Sequence, residues 1–160
     1  MDSGVSSAIR KRAWNCRERI FIGLSSGYDS GAIACELDRQ RIRYKSFSIL
    51  NNERREIVEA RIARRGSAAD FELIEVSEDE WSRAGHVLEA NVEPVGCEII
   101  GAGYREDWTL HGDGASRGLA IICEKANREG RRVYLSGQGS DEIFSDYGRA
   151  SRIPSFLTPT

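Results

Sequence analysis

Two stretches of this chain carry residue types that could do chemistry at close range. One is Leu24-Ser25-Ser26-Gly27-Tyr28-Asp29-Ser30, the other Leu135-Ser136-Gly137-Gln138-Gly139-Ser140-Asp141. Each gives Leu-Ser, then Gly, then Asp, and each follows an apolar run. Backbone N–H groups of a tight turn before a helix form an anion cradle, and the helix N-terminus adds partial positive charge. In the first stretch Gly27 lets the backbone take a positive φ and approach a ligand. Ser25, Ser26 and Ser30 add hydroxyl donors. Together they favour phosphate oxygens. Asp29 would repel a phosphate unless a cation lies between them, which implies Mg²⁺. The same residues also describe an ordinary strand-to-helix turn, with Ser30 as N-cap and Asp29 facing the helix dipole. Neither the G-x-x-x-x-G-K-[ST] loop nor the G-x-G-x-x-G fingerprint is present.

Elements that would position these loops alternate along the chain. Ser6 or Ser7 caps a first helix to about Asn15, with Ile9, Ala13 and Trp14 inward. Arg19 to Leu24 is a strand, and Ser30 to Gln40 a helix with Ile33, Ala34 and Leu37 on one face. Tyr44 to Leu50 is a second strand. Asn51 or Asn52 caps a charged helix to about Arg65, striped by Ile57, Val58 and Ile62 and ended by Gly66. Phe71 to Val76 is a third strand. Ser77 opens an acid-led helix towards Ala90. Pro94 to Ala115 reads as a long loop with a short strand at Cys97 to Ile100. Ser116 caps a helix over Arg117 to Arg128, stopped by Gly130. Arg132 to Leu135 is a fourth strand, and Gly137 to Gly148 a loop and short helix. This alternation predicts an α/β fold, a parallel sheet with helices on both faces. Ligands of such sheets bind outside the carboxyl ends of the strands. No internal repeat or domain boundary is evident, so 1–160 is expected to form one domain.

Composition narrows the partners. The 160 residues are 40% hydrophobic and 30% charged, with a net charge of −2. That balance leaves no electrostatic footprint for nucleic acid. No apolar run reaches the roughly 18 residues of a membrane span, and the amino end has no secretory h-region. Four cysteines without a C-x-x-C, and two histidines, argue against zinc. Cys35 and Cys123 lie in apolar helical patterns as buried free thiols, which suits a cytoplasmic setting. His86 is expected in solvent and His111 in a loop turn. Trp14, Trp81 and Trp108 are expected to pack.

Ser25 to Ser30 resembles the S-G-G-x-D-S pyrophosphate loop of N-type ATP pyrophosphatases. Leu135 to Tyr147, LSGQGSDEIFSDY, resembles the L-S-G-E-G-[AS]-D-E-[LI]-F-x-G-Y signature of the asparagine synthetases. The likeness covers most of the chain and is thinnest between Pro94 and Ser116. It implies an adenine nucleotide α-hydrolase-like fold. It also implies activation of a carboxylate as an acyl-adenylate with MgATP, followed by attack of ammonia or another amine. Aspartate is the family's default carboxylate. By the resemblance, Ser25, Ser26, Gly27, Asp29 and Ser30 hold pyrophosphate, and Asp29 and Asp141 hold Mg²⁺. Leu24, Ile49 and Leu50 bracket the adenine through backbone groups, and Ser136 and Gly137 lie beside the ribose and α-phosphate. Gln138 and Asp141 occupy catalytic positions.

The chain departs from that pattern in places. Ser26 stands where the motif has Gly, a mild cost at negative φ and a serious one at positive φ. Gln138 stands where the family has the Glu expected to assist amine attack, and an amide is no general base at neutral pH. The family's glutaminase domain is not expected ahead of Ile9, and the helical region that supplies its catalytic lysine is expected to be missing. The lysines of this chain are Lys11, Lys45 and Lys125. Two alternatives to an amide-forming ligase stay open: a nucleotide-binding module without catalysis, and a fragment that works with a partner chain.

Overall fold

The computed structural model describes residues 4–16, 19–65, 69–94, 96–101 and 104–137. Strand β1 (Ile20–Gly23) shows why the sheet is covered on both sides. Ile20, Ile22 and Leu24 point into one cluster with Ile9, Leu37, Tyr44 and Val58. Phe21 points into the other, with Phe47, Ile74, Ile122 and Ala126. Side chains alternate across a strand, so a short run that is apolar at every position buries both faces.

The other parallel strands are β2 (Tyr44–Ile49), β3 (Ala69–Ile74) and β6 (Val133–Tyr134). Their order is β3-β2-β1-β6, and every pairing is parallel. Helices α1 (Gly4–Ala13), α2 (Tyr28–Arg39) and α3 (Arg55–Ala63) supply the first cluster. Helix α5 (Gly114–Arg128) supplies the second and packs with α4 (Glu78–Asn91). The expected α/β sheet with helices on both faces is thus borne out. The chain moves outward from β1 through β2 to β3, then returns to place β6 on β1's other side. The switch point therefore lies between β1 and β6, where a crevice opens outside the carboxyl ends.

Several local expectations are corrected. Trp14 is 74% exposed, because α1 stops at Ala13 and its helical phase ends there. Ser6 is no cap. It is buried within α1, where its hydroxyl accepts Arg39 Nη2 at 2.7 Å. Cys35 is exposed. Asn51 does not cap α3. Its amide pairs with the backbone of Val76 like an extra rung between strand ends, a 3-10 turn spans Leu50–Asn52, and Arg54 is the N-cap. Asp113, not Ser116, caps α5; its carboxylate accepts both the N–H and the hydroxyl of Ser116, at 2.7 and 2.8 Å. The expected loop from Pro94 holds an antiparallel pair, β4 (Gly96–Gly101) and β5 (Tyr104–Thr109), so its strand has a partner whose pattern did not show. Ser77 opens α4 as expected, and its hydroxyl and the Glu80 carboxylate form a reciprocal capping box. No described helix is long and apolar enough to cross a membrane.

Candidate active site

Both polar loops leave strands that flank the switch point. Leu24 to Gly27 follows β1 and Leu135 to Gly137 follows β6. They touch: a Cβ on Gly137 would stand 2.6 Å from Asp29 Cβ and 3.4 Å from its carbonyl carbon. Glycine at 137 is what lets the second loop close on the first turn of α2. The structure thus brings Asp29 and Gly137 together. Gln138 and Asp141 lie outside the described residues.

The first loop is braced from within. Ser25 N–H donates to Ser30 Oγ at 3.1 Å, the two hydroxyls lie 2.8 Å apart, and Gly27 N–H donates to Ser25 Oγ at 3.1 Å. Ser26 N–H instead donates outward, to Glu53 Oε2 at 2.6 Å. From α3, Arg61 Nη1 donates to the carbonyls of Ser25 and Gly27, the latter at 2.7 Å. Its guanidinium lies over Gly31, where a Cβ would stand 3.0 Å from Cζ. Helix α2 begins at Tyr28 with Gly27 as N-cap and no side-chain cap. Its first-turn N–H groups have no intrahelical partners and face the crevice end of the sheet.

This geometry settles three expectations about the loop. Gly27 has φ −73°, so its value is lack of bulk rather than positive φ. Arg41 is the one described non-glycine residue with positive φ, so Ser26 carries only the mild cost of its Cβ. Ser30 sits inside α2 and braces Ser25 instead of capping the helix.

The residues expected to bracket the adenine are partly engaged. Leu24 N–H donates to Phe47 O at 2.8 Å, and Leu24 O accepts Ser48 Oγ at 2.6 Å. Ile49 ends β2 and Leu50 begins the 3-10 turn. Ile49 also lines a cavity of about 360 Å³ with Glu53, Trp81, Leu119, Ile122 and Tyr134. The hydroxyl of Tyr134 lies over Gly23, and burial pushes its pKa up while a hydrogen bond with Ser136 pulls the other way. A larger concavity, about 790 Å³, is lined by Ile20, Arg41 and Arg43. It opens at the amino ends of the strands, away from the crevice.

Glu53 and Arg61 were not among the expected site residues. Arg61 follows Val58 by three residues and Ile57 by four, so it lies beside the stripe that faces the sheet. That spacing was its signal. Glu53 had none, because its contact spans 27 residues. The lysines lie elsewhere. Lys45 and Lys125 form ion pairs with Glu72, and Lys11 is on the exposed side of α1.

A family model described as asparagine synthase matches residues 3–158. The chain belongs to the asparagine synthase family. No curated protein matches it. The match spans both loops and the strands that carry them, so the likeness is not confined to two short motifs. ATP-dependent, amide-forming ligase chemistry is the general activity of an asparagine synthase domain. The crevice geometry agrees with nucleotide binding. Among the described residues no three His, Cys, Asp or Glu side chains cluster as a metal site. Asp29 and Glu53 are carboxylates bordering the loop.

Proposed function

We propose that this chain binds ATP across the β1–β6 crevice and activates a carboxylate as an acyl-adenylate with release of pyrophosphate, after which an amine attacks the acyl carbon, expels AMP and leaves the amide. The observation that carries the reading is the contact of Gly137 with Asp29, which joins the two signatures at the switch point. Pyrophosphate would rest on the Ser25–Ser30 loop and the first-turn N–H groups of α2. The adenine would lie by Leu24, Ile49 and Leu50, and the ribose and α-phosphate beside Ser136 and Gly137. Attack of a carboxylate on the α-phosphorus brings negative charges together, and preorganised N–H donors stabilise the departing pyrophosphate. Asp29 fits one end of a Mg²⁺ site, with Asp141 as its partner. The ion would neutralise the leaving group. Aspartate with ammonia is the default pair, and a cytoplasmic setting suits the free thiols of Cys16, Cys35 and Cys123.

Pyrophosphate release from ATP, measured with a panel of carboxylates, Mg²⁺ and ammonia, tests this. Carboxylate-dependent release supports it; ordinary ATP affinity with no release under any carboxylate rejects it. One observation favours a second reading, a binding module or a fragment completed by a partner chain. Gln138 puts an amide where the signature has a carboxylate. Gln138→Glu should then raise amide formation with ammonia if the rest of the site is competent. Activity that arises only on mixing with a second chain would support the fragment.

A further inference from the structure

We propose that the carboxylate of Glu53 is an internal stand-in for pyrophosphate, seated on the loop and displaced when nucleotide binds. The inference rests on the proposed function above. Ser25 and Gly27 direct their N–H groups to hydroxyls within the loop, whereas Ser26 directs its own to Glu53 Oε2 at 2.6 Å. An N–H bonded to an ionised oxygen makes a charge-assisted bond, and a phosphoryl oxygen would make the same one. One donor cannot serve both anions at this length, and two anions side by side repel.

The carboxylate has somewhere to go. Glu53 follows the 3-10 turn and also lines the 360 Å³ cavity, so it stands between loop and cavity. The loop keeps its shape when Glu53 leaves, because other groups hold it. Arg61 grips the carbonyls of Ser25 and Gly27, and Ser30 braces Ser25. The seated state therefore lowers the apparent affinity for any ligand bearing a pyrophosphate, by the fraction of molecules in which the donor is taken. A ligand without that group escapes the competition.

Calorimetric titration of inorganic pyrophosphate, ATP and AMP into the full chain, with Mg²⁺ and again with EDTA, tests this on Glu53→Gln and Glu53→Ala. Circular dichroism first checks that each variant is folded. Both variants should bind pyrophosphate and ATP about tenfold more tightly than the native chain, the scale of one charge-assisted bond. AMP affinity should not move. Unchanged or weaker pyrophosphate binding overturns the proposal. Weakening seen only with Mg²⁺ also overturns it, because Glu53 is then a metal ligand. Equal tightening of AMP overturns it too, since the effect then lies in the cavity. If the native chain and both variants bind neither ATP nor pyrophosphate, the parent reading of the site fails and this one with it. Normal native ATP binding without the variant gain rejects this proposal alone.

Discussion

Gly137 is a residue where the missing side chain matters. It does not need a positive φ; among the described glycines only Gly130 has one. What forbids a side chain is Asp29, whose Cβ and backbone leave no room. Gly137→Ala must push the loops apart. We expect a loss of about 1–3 kcal/mol in urea unfolding, the usual cost of overpacking, together with weaker ATP binding. Alanine tolerated without change in either would mean that the two loops are not locked together. Arg61 works from the other side. Arg61→Ala strips a cation from two loop carbonyls, and bonds to charged groups contribute about 1.5–3 kcal/mol. Arg61→Lys should rescue only part of the loss in ATP affinity, because its side chain is one bond shorter and its ammonium more strongly hydrated than the guanidinium nitrogen that serves both carbonyls. Equal behaviour of the two variants in the same titration would argue against the clamp.

At the scale of elements, two joints of α2 can be tested. Its carboxyl end closes with Arg41 N–H on Asp38 O and Ile42 N–H on Leu37 O, both at 3.0 Å, the hydrogen-bond pair of a Schellman turn. Arg41 holds the left-handed position at φ 55°, where glycine carries no Cβ penalty. Arg41→Gly should therefore raise stability by about 1 kcal/mol, read as a higher urea midpoint. The second joint ties α2 to α1. Glu36 accepts Arg39 and Gln40, which also reach Ser6. The Arg39 hydrogen bond, then that of Gln40, lowers the Glu36 pKa from 4.5 to about 2. A depressed carboxylate contributes stability above its unfolded pKa and loses it as pH falls through the folded one. Thermal melts should show this contribution intact at pH 7 and fading between about 4.5 and about 2. Glu36→Gln should flatten that part of the profile. An unaltered profile would assign the acid sensitivity elsewhere.

At the scale of the molecule, Lys45 joins three elements at the end of the sheet away from the site. It sits on β2, donates to Glu72 of β3 at 2.9 Å and to Glu129 beyond α5, and lies 4.9 Å from the centroid of Phe47. Burial alone would lower its pKa, but the bonds to Glu129 and Glu72 outweigh that and raise it. Lys45→Met removes the cation that Glu72 and Glu129 share and leaves Glu72 with Lys125 and Glu129 with Arg131. Breaking a fully buried pair costs about 3–5 kcal/mol. Glu72 and Glu129 keep 33% and 36% of their side chains in solvent, so about 1–3 kcal/mol is expected here. ATP affinity should be unchanged in the same variant. A matching loss of affinity would mean that the far end of the sheet shapes the crevice after all.

The local code determined much of this protein. Alternating and helical periodicities reflect one strand or one helix burying its own face, so β1, β2 and α2 were legible within a few residues. The two strand-end motifs were legible too, because turn chemistry is written in consecutive side chains. Boundaries failed where a distant group took over a side chain, as Val76 does with Asn51 and Arg39 with Ser6. Only the tertiary structure decided which strands flank the switch point, that Gly137 abuts Asp29, and that Glu53 and Arg61 serve the first loop. Those contacts join residues 27 to 108 positions apart, and no period of 2 or 3.6 carries information over such distances. They exist because parallel pairing forces the chain to cross the sheet and return, which brings remote loops to one edge.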